Sequence, residues 1–292
     1  MASESSRAWS LGLPLWGQAN WAGVLYPPGI RARDQLAEYA RVFDAVEGNT
    51  TFYSLPSEDT VARWREGTPT GFRFAFKFPR SITHDRRLQH VDAETGTFLE
   101  RLAPLGARCG AFMLQLPPGF GPDRLRRLDD FLAALPAQVR CAVEVRHRAF
   151  FSAGAARDLE AVLGAHRAER VIMDTRGMRS GNPEHPDVLA AAHEKPDVPV
   201  WTRALGAQPL VRYVGHPEAS VNAPWLAAWA ERLATWIAEG RHPVFFMHCP
   251  DNRHSPALAR WLDQLVRMQV GGPALPAFPR QDPVAAPQLS LL

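Results

Sequence analysis

The sequence of 292 residues contains very little lysine. Only Lys77 and Lys195 occur, so arginine fills nearly all of the 33 basic positions. Because an ammonium group is compact and its pKa shifts readily, a lysine retained inside a strand-like segment calls for a specific reason. The arginines are scattered and the net charge is only +3, which indicates a solvated surface more than a face for a polyanion such as nucleic acid.

Cysteine is also scarce and odd in number. Cys109, Cys141 and Cys249 each lie in an apolar, strand-like segment, which favours buried free thiols in a reducing compartment. Residues 1–10 lack the basic start and apolar core of a signal peptide, and no run reaches the roughly 18 apolar residues of a membrane span. We therefore expect a cytoplasmic protein without a membrane partner.

Several motifs with a known chemistry are missing. Glycine-rich phosphate loops of the Rossmann and P-loop types do not occur, and neither does Gly-x-Ser-x-Gly. No helical His-x-x-x-His spacing supports a metal site, although ligand types for zinc or manganese are present. These are Glu47, Glu144, Asp174, His84, His147 and His248. A divalent metal is therefore an alternative that the spacing does not favour, and the sequence predicts no particular cofactor.

Apolar segments alternate with amphipathic segments at the spacing of βα units. Strands are predicted at residues 9–16, 44–49, 73–78, 109–115, 141–146, 171–174, 210–214 and 244–248. Ser57 is a predicted helix N-cap, followed by Val61 and Trp64 on one helix face. The fold class is thus α/β, a single TIM-type (β/α) barrel with parallel strands and outer helices. We expect it to span residues 9–270, between a polar tail (1–8) and a Pro-rich tail (271–292) that leaves the barrel.

The predicted strands have two different faces. One is bulky and apolar, as in Phe74, Phe76 and Phe78, and should meet the helices. The other runs from small residues to polar ones at the carboxyl ends of the strands, where active sites of this fold are built. The polar side chains assigned to that mouth are Glu47, Asn49, Lys77, Gln115, Glu144, Arg146, His147, Asp174 and His248. Ile172 is assigned to the same inward face as Asp174.

Carboxylates and cations at short range suit acid–base chemistry, because their charges push their pKa values apart. Glu47, Lys77, Glu144, His147 and Asp174 are the predicted catalytic residues. We expect Lys77 to be charged and paired with a carboxylate or an anionic substrate. A role for Lys77 as a Schiff-base nucleophile, and a salt-bridge layer that only closes the barrel end, stay open as alternatives.

Long segments occur in a characteristic order along the chain. They are "VEGNTTFYSLPSEDTVARWREGTPTGFRFAFKFPRSITH" at 46–84, "LQLPPGFGP" at 114–122, "VEVRHRAFF" at 143–151, "VIMDTR" at 171–176 and "LVRYVG" at 210–215. Together they resemble the YecE-like family of uncharacterised proteins, also called domain of unknown function 72. The resemblance implies a TIM-type barrel but no reaction. With it, the predicted substrate-binding residues are Asn49, Tyr53, His84, Gln115, Arg146, Arg212 and His248. The strand-eight ending "FFMHCPDNRH" departs from many relatives, so the roles of His248 and Asn252 stay open.

The connection over residues 175–208 is long and contains several glycines and prolines. A connection of this length is often a lid or binding loop. We expect it to cover part of the mouth, with Arg176 and Arg179 able to reach the pocket.

The last five residues form a separate motif. Gln288, Leu289, Ser290, Leu291 and Leu292 resemble the pentapeptide by which bacterial replication and repair proteins dock on the sliding clamp, with Leu in place of the final Phe. A tethered Gln amide and apolar anchors suit a groove on a partner.

Two functions are consistent with these features. The first is an enzyme, a hydrolase, lyase or isomerase acting on a small polar or phosphorylated substrate. The alternative is a non-catalytic or nuclease-like DNA-repair accessory that is recruited to the sliding clamp.

Overall fold

The computed structural model describes residues 7–278, and within them nine parallel strands form a nearly closed barrel. The strands are β1 Ser10–Leu13, β2 Ala45–Gly48, β3 Arg73–Lys77, β4 Cys109–Gln115, β5 Cys141–Glu144, β6 Glu169–Arg170, β7 Ile172–Asp174, β8 Leu210–Val214 and β9 Val244–His248. They pair in the order β6-β5-β4-β3-β2-β1-β9-β8-β7. Because β6 and β7 follow one another in the chain, they join the two edges of the sheet. The predicted TIM-type barrel is confirmed, with its sixth strand divided in two.

Helices cover the outside of the barrel. Within the described residues they are α1 Gln35–Tyr39, α2 Glu58–Glu66, α3 Asp92–Leu102, α4 Leu125–Ala134, α5 Ala153–Ala165, α6 Arg176–Ser180, α7 Pro186–Ala192, α8 Ala223–Ala238 and α9 Ser255–Val270. A search of this part of the chain finds no helix with the length and apolar character needed to cross a membrane.

Helix α2 shows how the sequence specifies this packing. It begins at the predicted N-cap, where Ser57 Oγ accepts a hydrogen bond from the Thr60 amide at 3.2 Å. Its buried Trp64 stacks on Phe74 and Phe76 of β3, with ring centroids 5.9 and 5.5 Å apart. Each such aromatic pair contributes about 0.5–1.5 kcal/mol beyond the area it buries. The bulky face of β3 therefore meets a helix, as predicted.

The barrel interior below the mouth is apolar. Phe246, Met113 and Leu210 pack there against small residues such as Ala45. Gly12 of β1 must lack a side chain, because a Cβ at this position would lie 2.2 Å from the Ala45 carbonyl oxygen. This apolar layer forms the floor of the mouth, directly below its polar residues.

The connection over residues 175–208 packs over one side of the mouth. Met178 of α6 and Val188 and Ala191 of α7 form an apolar cluster with Met173 and Val214, near the carboxyl ends of β7 and β8. These contacts agree with the expectation that the connection covers part of the mouth.

Both ends of the described chain are held against the barrel. Arg7 Nη2 donates to Asp263 Oδ1 at 2.7 Å, and the Leu275 amide donates to Asp263 Oδ2 at 3.2 Å. Leu275 is buried, and the Arg260 guanidinium lies 3.8 Å from the Phe278 ring centroid. The prediction that the Pro-rich tail leaves the barrel was wrong for its first part, because these apolar side chains pack onto α9 and its neighbours.

Candidate active site at the barrel mouth

Arg212 lies at the centre of the mouth and joins three strands. From β8, its Nε and Nη2 donate to Glu47 Oε1 and Oε2 of β2 at 2.6 and 2.9 Å. Its Nη1 donates to Glu144 Oε2 of β5 at 2.5 Å. All three side chains are at most 3% exposed. A guanidinium with five donors in a planar fork is suited to holding two carboxylates in this way.

The central pairing keeps both carboxyl groups ionised. Burial alone would raise the pKa of Glu47, but Arg212 and His248 hold it well below its ordinary value. Burial likewise opposes ionisation of Glu144, yet Arg146, then Arg212, lower its pKa to about 2. Neither carboxylate is therefore ready to take up a proton at neutral pH.

Lys77 projects from the end of β3 into the same charged cluster. Its Nζ donates to Gln115 Oε1 at 2.9 Å and lies 5.8 Å from the centroid of the Phe52 ring. Of the two predicted partners, a carboxylate or an anionic substrate, the carboxylate was wrong, since within residues 7–278 no carboxylate oxygen lies within 4.0 Å of this amine. Burial and then the charge of Arg212 lower the pKa of Lys77 to about 7, against the opposing effect of Glu47 and Glu144.

His248 and Asn49 hold Glu47 from two further sides. His248 Nε2 lies 2.8 Å from Glu47 Oε1, and burial lowers the pKa of His248 to about 4. A neutral ring beside an ionised carboxylate must carry its proton on Nε2 and donate it to Glu47. Asn49 Nδ2 donates to Glu47 Oε2 at 3.1 Å and to the Pro14 carbonyl at 2.6 Å.

Other predicted residues lie at the rim. Arg146 Nε donates to Glu144 Oε1 at 2.7 Å. The ring of His84 packs edge-on against Phe52 with centroids 5.0 Å apart, and burial and then Arg146 lower the pKa of His84 to about 4. Tyr53 is 80% exposed.

His147 is used differently. Its Nδ1 accepts a hydrogen bond from the Ala149 amide at 3.2 Å and so caps the short 3-10 turn Arg148–Phe151. In the described part of the chain, no hydrogen bond links His147 to Arg212 or Glu144.

Asp174 does not face the mouth, and the prediction that Ile172 and Asp174 share the inward face was wrong. In the register of β7 and β8, Met173 pairs with the inward Arg212, so Asp174 points out. Its Oδ2 accepts from Trp229 Nε1 of α8 at 2.8 Å and from Arg176 Nη2 at 2.8 Å. Val171 lies in the apolar interior cluster and Ile172 in the core between strands and helices, so the alternation along this strand is the reverse of the predicted one. Arg176, expected to reach the pocket, pairs with Asp174 and lies 4.5 Å from the Trp225 ring centroid on the outside of the barrel.

Comparison with known proteins places this chain in a family. The model of the family described as "Protein of unknown function DUF72" matches residues 10–283. The chain belongs to the DUF72 family. It is 38% identical to the UPF0759 protein YecE of Escherichia coli K12 over 275 residues, which are 93% of this chain and 97% of that protein.

Solved structures of DUF72 proteins share the barrel. The protein from Enterococcus faecalis V583 superposes with a TM-score of 0.69 at 18% identity, covering 88% of this chain and 95% of the other. The protein from Thermotoga maritima gives a TM-score of 0.68 at 20% identity, covering 89% and 98%. At these identities the likeness concerns the fold alone.

Lys195 is a mouth residue of this DUF72 barrel that the sequence reasoning did not include. It follows α7, and its carbonyl accepts from Arg179 Nη2 at 2.9 Å, which leaves Arg179 outside the pocket. Burial and then the charge of Arg212 lower the pKa of Lys195, with Glu47 opposing. The charges of Arg212 and Glu47 therefore act on both lysines of the chain. The scarcity of lysine was the signal that could have identified the second one.

Potential metal ligands are not clustered in the described part of the chain. Within residues 7–278, no three His, Cys, Asp or Glu side chains are grouped so as to hold a metal ion.

Cavities are found near both ends of the barrel. A cavity of about 1490 Å³ opens at the amino ends of the strands, beside Arg73 and His242. A smaller one, about 440 Å³, borders Phe52, Tyr53 and Arg80 beside the mouth. Its lining does not include Arg212, Lys77, Glu47 or Glu144.

Proposed function

We propose that this DUF72 protein is an enzyme, an isomerase or lyase, that transfers a proton on a small anionic substrate bound at the carboxyl-terminal mouth of the barrel. The charges of the mouth support an anionic substrate. Arg212, Arg146, Lys77 and Lys195 supply up to four positive charges, whereas Glu47 and Glu144 supply two negative ones. Such an excess of cations in a partly desolvated site attracts an anion.

The observation that carries the proposal is the state of Lys77. Glu47 and Glu144 are locked as anions by Arg212, and His84 and His248 have pKa values of about 4. Lys77, with a pKa of about 7, is the mouth group best able to give and take a proton at neutral pH. The carboxylates and Arg212 then serve to position it and the substrate.

Anion binding tests the charge argument directly. We expect inorganic sulfate, which keeps its double charge across the neutral range, to bind the wild-type protein in isothermal titration calorimetry. Lys195→Met should weaken this binding about tenfold, because one charge-assisted contact is worth about 1–2 kcal/mol. Binding should also weaken as the pH rises through 7 and Lys77 loses its proton.

The control is Arg126→Met, which removes a cation from the exposed surface of α4, where Arg126 pairs with Asp130 at 2.9 Å. It should bind sulfate like the wild type. Equal affinity of the Lys195→Met and wild-type proteins, or the absence of saturable binding, would refute an anion site at the mouth.

We also propose that the chain docks on the bacterial sliding clamp through its last five residues, which lie outside the described residues. The support is the sequence of Gln288, Leu289, Ser290, Leu291 and Leu292, in which an amide precedes apolar anchors. Burial of each leucine stabilises a complex by about 1.5–3 kcal/mol. Ordering of the segment offsets much of this, so we expect a dissociation constant on the order of micromolar.

A pull-down with purified clamp tests this second function. The intact chain should be recovered, and a chain ending at Ala286 should not. Equal recovery of the two forms would end the link to replication and repair and leave the barrel chemistry unaffected.

A further inference from the structure

Lys77 has the surroundings of a reactive amine more than those of an ion-pair partner. It extends from a strand of the barrel wall, so its position is set by the sheet. Its Nζ donates to the neutral Gln115 Oε1 at 2.9 Å, and one side faces the Phe52 ring. The nearby carboxylates are already engaged, Glu144 by Arg146 and Arg212.

We propose that Lys77 is a nucleophile that forms an imine with an aldehyde or ketone group of a small anionic substrate. This inference rests on the proposed function and names the substrate class, a carbonyl compound that also carries a carboxylate or phosphate. Arg146 and Lys195, which flank the charged cluster, would hold the anionic group. Lys77 would then meet the carbonyl carbon.

The reaction needs no oxidant or reductant. The Nζ lone pair adds to the carbonyl carbon while the C=O π electrons move to oxygen, which takes a proton to give a carbinolamine. The nitrogen then loses a proton, its lone pair forms the C=N bond, and the hydroxyl group leaves as water after protonation. The protonated imine withdraws electrons from the adjacent carbon, so that this carbon can release a proton to solvent water or a bond to it can break, as an isomerase or lyase requires. Lys77 then acts as the electron sink, and hydrolysis of the imine returns it as the free amine.

Two neighbouring groups make Lys77 the better candidate of the two lysines. Gln115 Oε1 accepts a hydrogen bond from the amine and orients it. Arg212 stands close enough to disfavour its protonated form. The other charged or titratable groups around Lys77 are Glu47, Glu144, Arg146 and His84. Lys195 lies instead on a connecting segment, where its backbone is held by Arg179.

Borohydride trapping of the folded, full-length protein tests the inference. The probes are glyoxylate, a small anionic aldehyde, and acetaldehyde, a neutral aldehyde of similar size. Because the chain has two lysines, peptide mapping by mass spectrometry can separate Lys77, Lys195 and the terminal amine. We expect glyoxylate to label Lys77 at least tenfold faster than acetaldehyde does. The rate should rise with a midpoint near pH 7, far below the value of about 10.4 for an ordinary lysine.

Three variants complete the experiment. Lys77→Arg should abolish the label at this position, Lys195→Arg should leave Lys77 as the labelled site, and Arg126→Met should react like the wild type. Labelling at Lys195 or the terminal amine alone, or equal rates with both aldehydes, would overturn the inference. If glyoxylate does not label Lys77 in the wild-type protein but sulfate still binds, only the imine is refuted and the anion site remains supported. Absence of saturable sulfate binding to the wild-type protein would instead refute the proposed function.

Discussion

Arg212→Met should lower the free energy of unfolding by about 3–5 kcal/mol at pH 7. The substitution leaves Glu47 and Glu144 buried, both at most 2% exposed, without the cation that pairs with them. Their transfer from water is then no longer compensated. Urea unfolding followed by circular dichroism measures the change.

The pH dependence of this variant should be opposite to that of the wild type. In the wild type the lowered pKa values of Glu47 and Glu144 stabilise the fold above about pH 4.5, and this stabilisation is lost as the pH falls toward about 2. In Arg212→Met, burial should raise both pKa values. The folded state then binds more protons than the unfolded state, so the variant should regain stability as the pH falls from 7 toward 5.

The matched control is Arg146→Met. Arg146 also pairs with Glu144, but its side chain is 15% exposed and Arg212 remains in place, so we expect a smaller loss than in Arg212→Met. If Arg212→Met does not fold, Glu47→Gln combined with Glu144→Gln and Arg212→Met should restore folding, because none of the three buried charges then remains. A decrease of less than about 1 kcal/mol in the free energy of unfolding of Arg212→Met would show that Arg212, Glu47 and Glu144 are not the electrostatic centre of the barrel.

Lys77→Met should, in contrast, raise the free energy of unfolding by about 2–3 kcal/mol at pH 7. Burial and the charge of Arg212 lower the pKa of Lys77 to about 7, which means that the folded protein disfavours the charged amine. Methionine has a similar length and no charge. It leaves Gln115 Oε1 without the Nζ donor, and the loss of this hydrogen bond offsets part of the gain.

The sign of the pH effect distinguishes this explanation from better packing. Between pH 7 and about 10.4 the unfolded state holds a proton on Lys77 that the folded state has released, so wild-type stability rises with pH in this window. The advantage of Lys77→Met should therefore be largest near pH 7 and vanish near pH 10. Lys77→Arg is the control, since it keeps a charge at all these pH values and should be less stable than the wild type.

If Lys77→Met is more stable than the wild type and no longer reacts with glyoxylate, then Lys77 lowers the stability of the fold and provides its reactivity, as is common at active sites. A destabilised Lys77→Met at pH 7 would contradict the lowered pKa of Lys77 and would show that the amine has a structural role.

The strand positions and the division into two strand faces could be read from the sequence. The phenylalanines of β3 alternate with small and polar residues, and this period of two predicted both the helix-facing side and the inward position of Lys77. The same reasoning failed at Asp174, because "VIMD" is apolar without alternation up to its last residue. A uniform apolar run does not show which of its residues face inward, and the pairing of Met173 with Arg212 across β7 and β8 decided this.

The sequence by itself determined the barrel, its apolar floor and the polar carboxyl ends of the strands, because these depend on periodicity between near neighbours. Only the tertiary structure decided how the polar residues combine. Arg212 meets Glu47 across 165 positions of the chain and Glu144 across 68, contacts that exist only when the barrel closes. Closure also brings Lys195 to the mouth and leaves Lys77 without a carboxylate. The reactivity proposed for Lys77 thus arises from burial and from neighbouring charges that are distant in sequence.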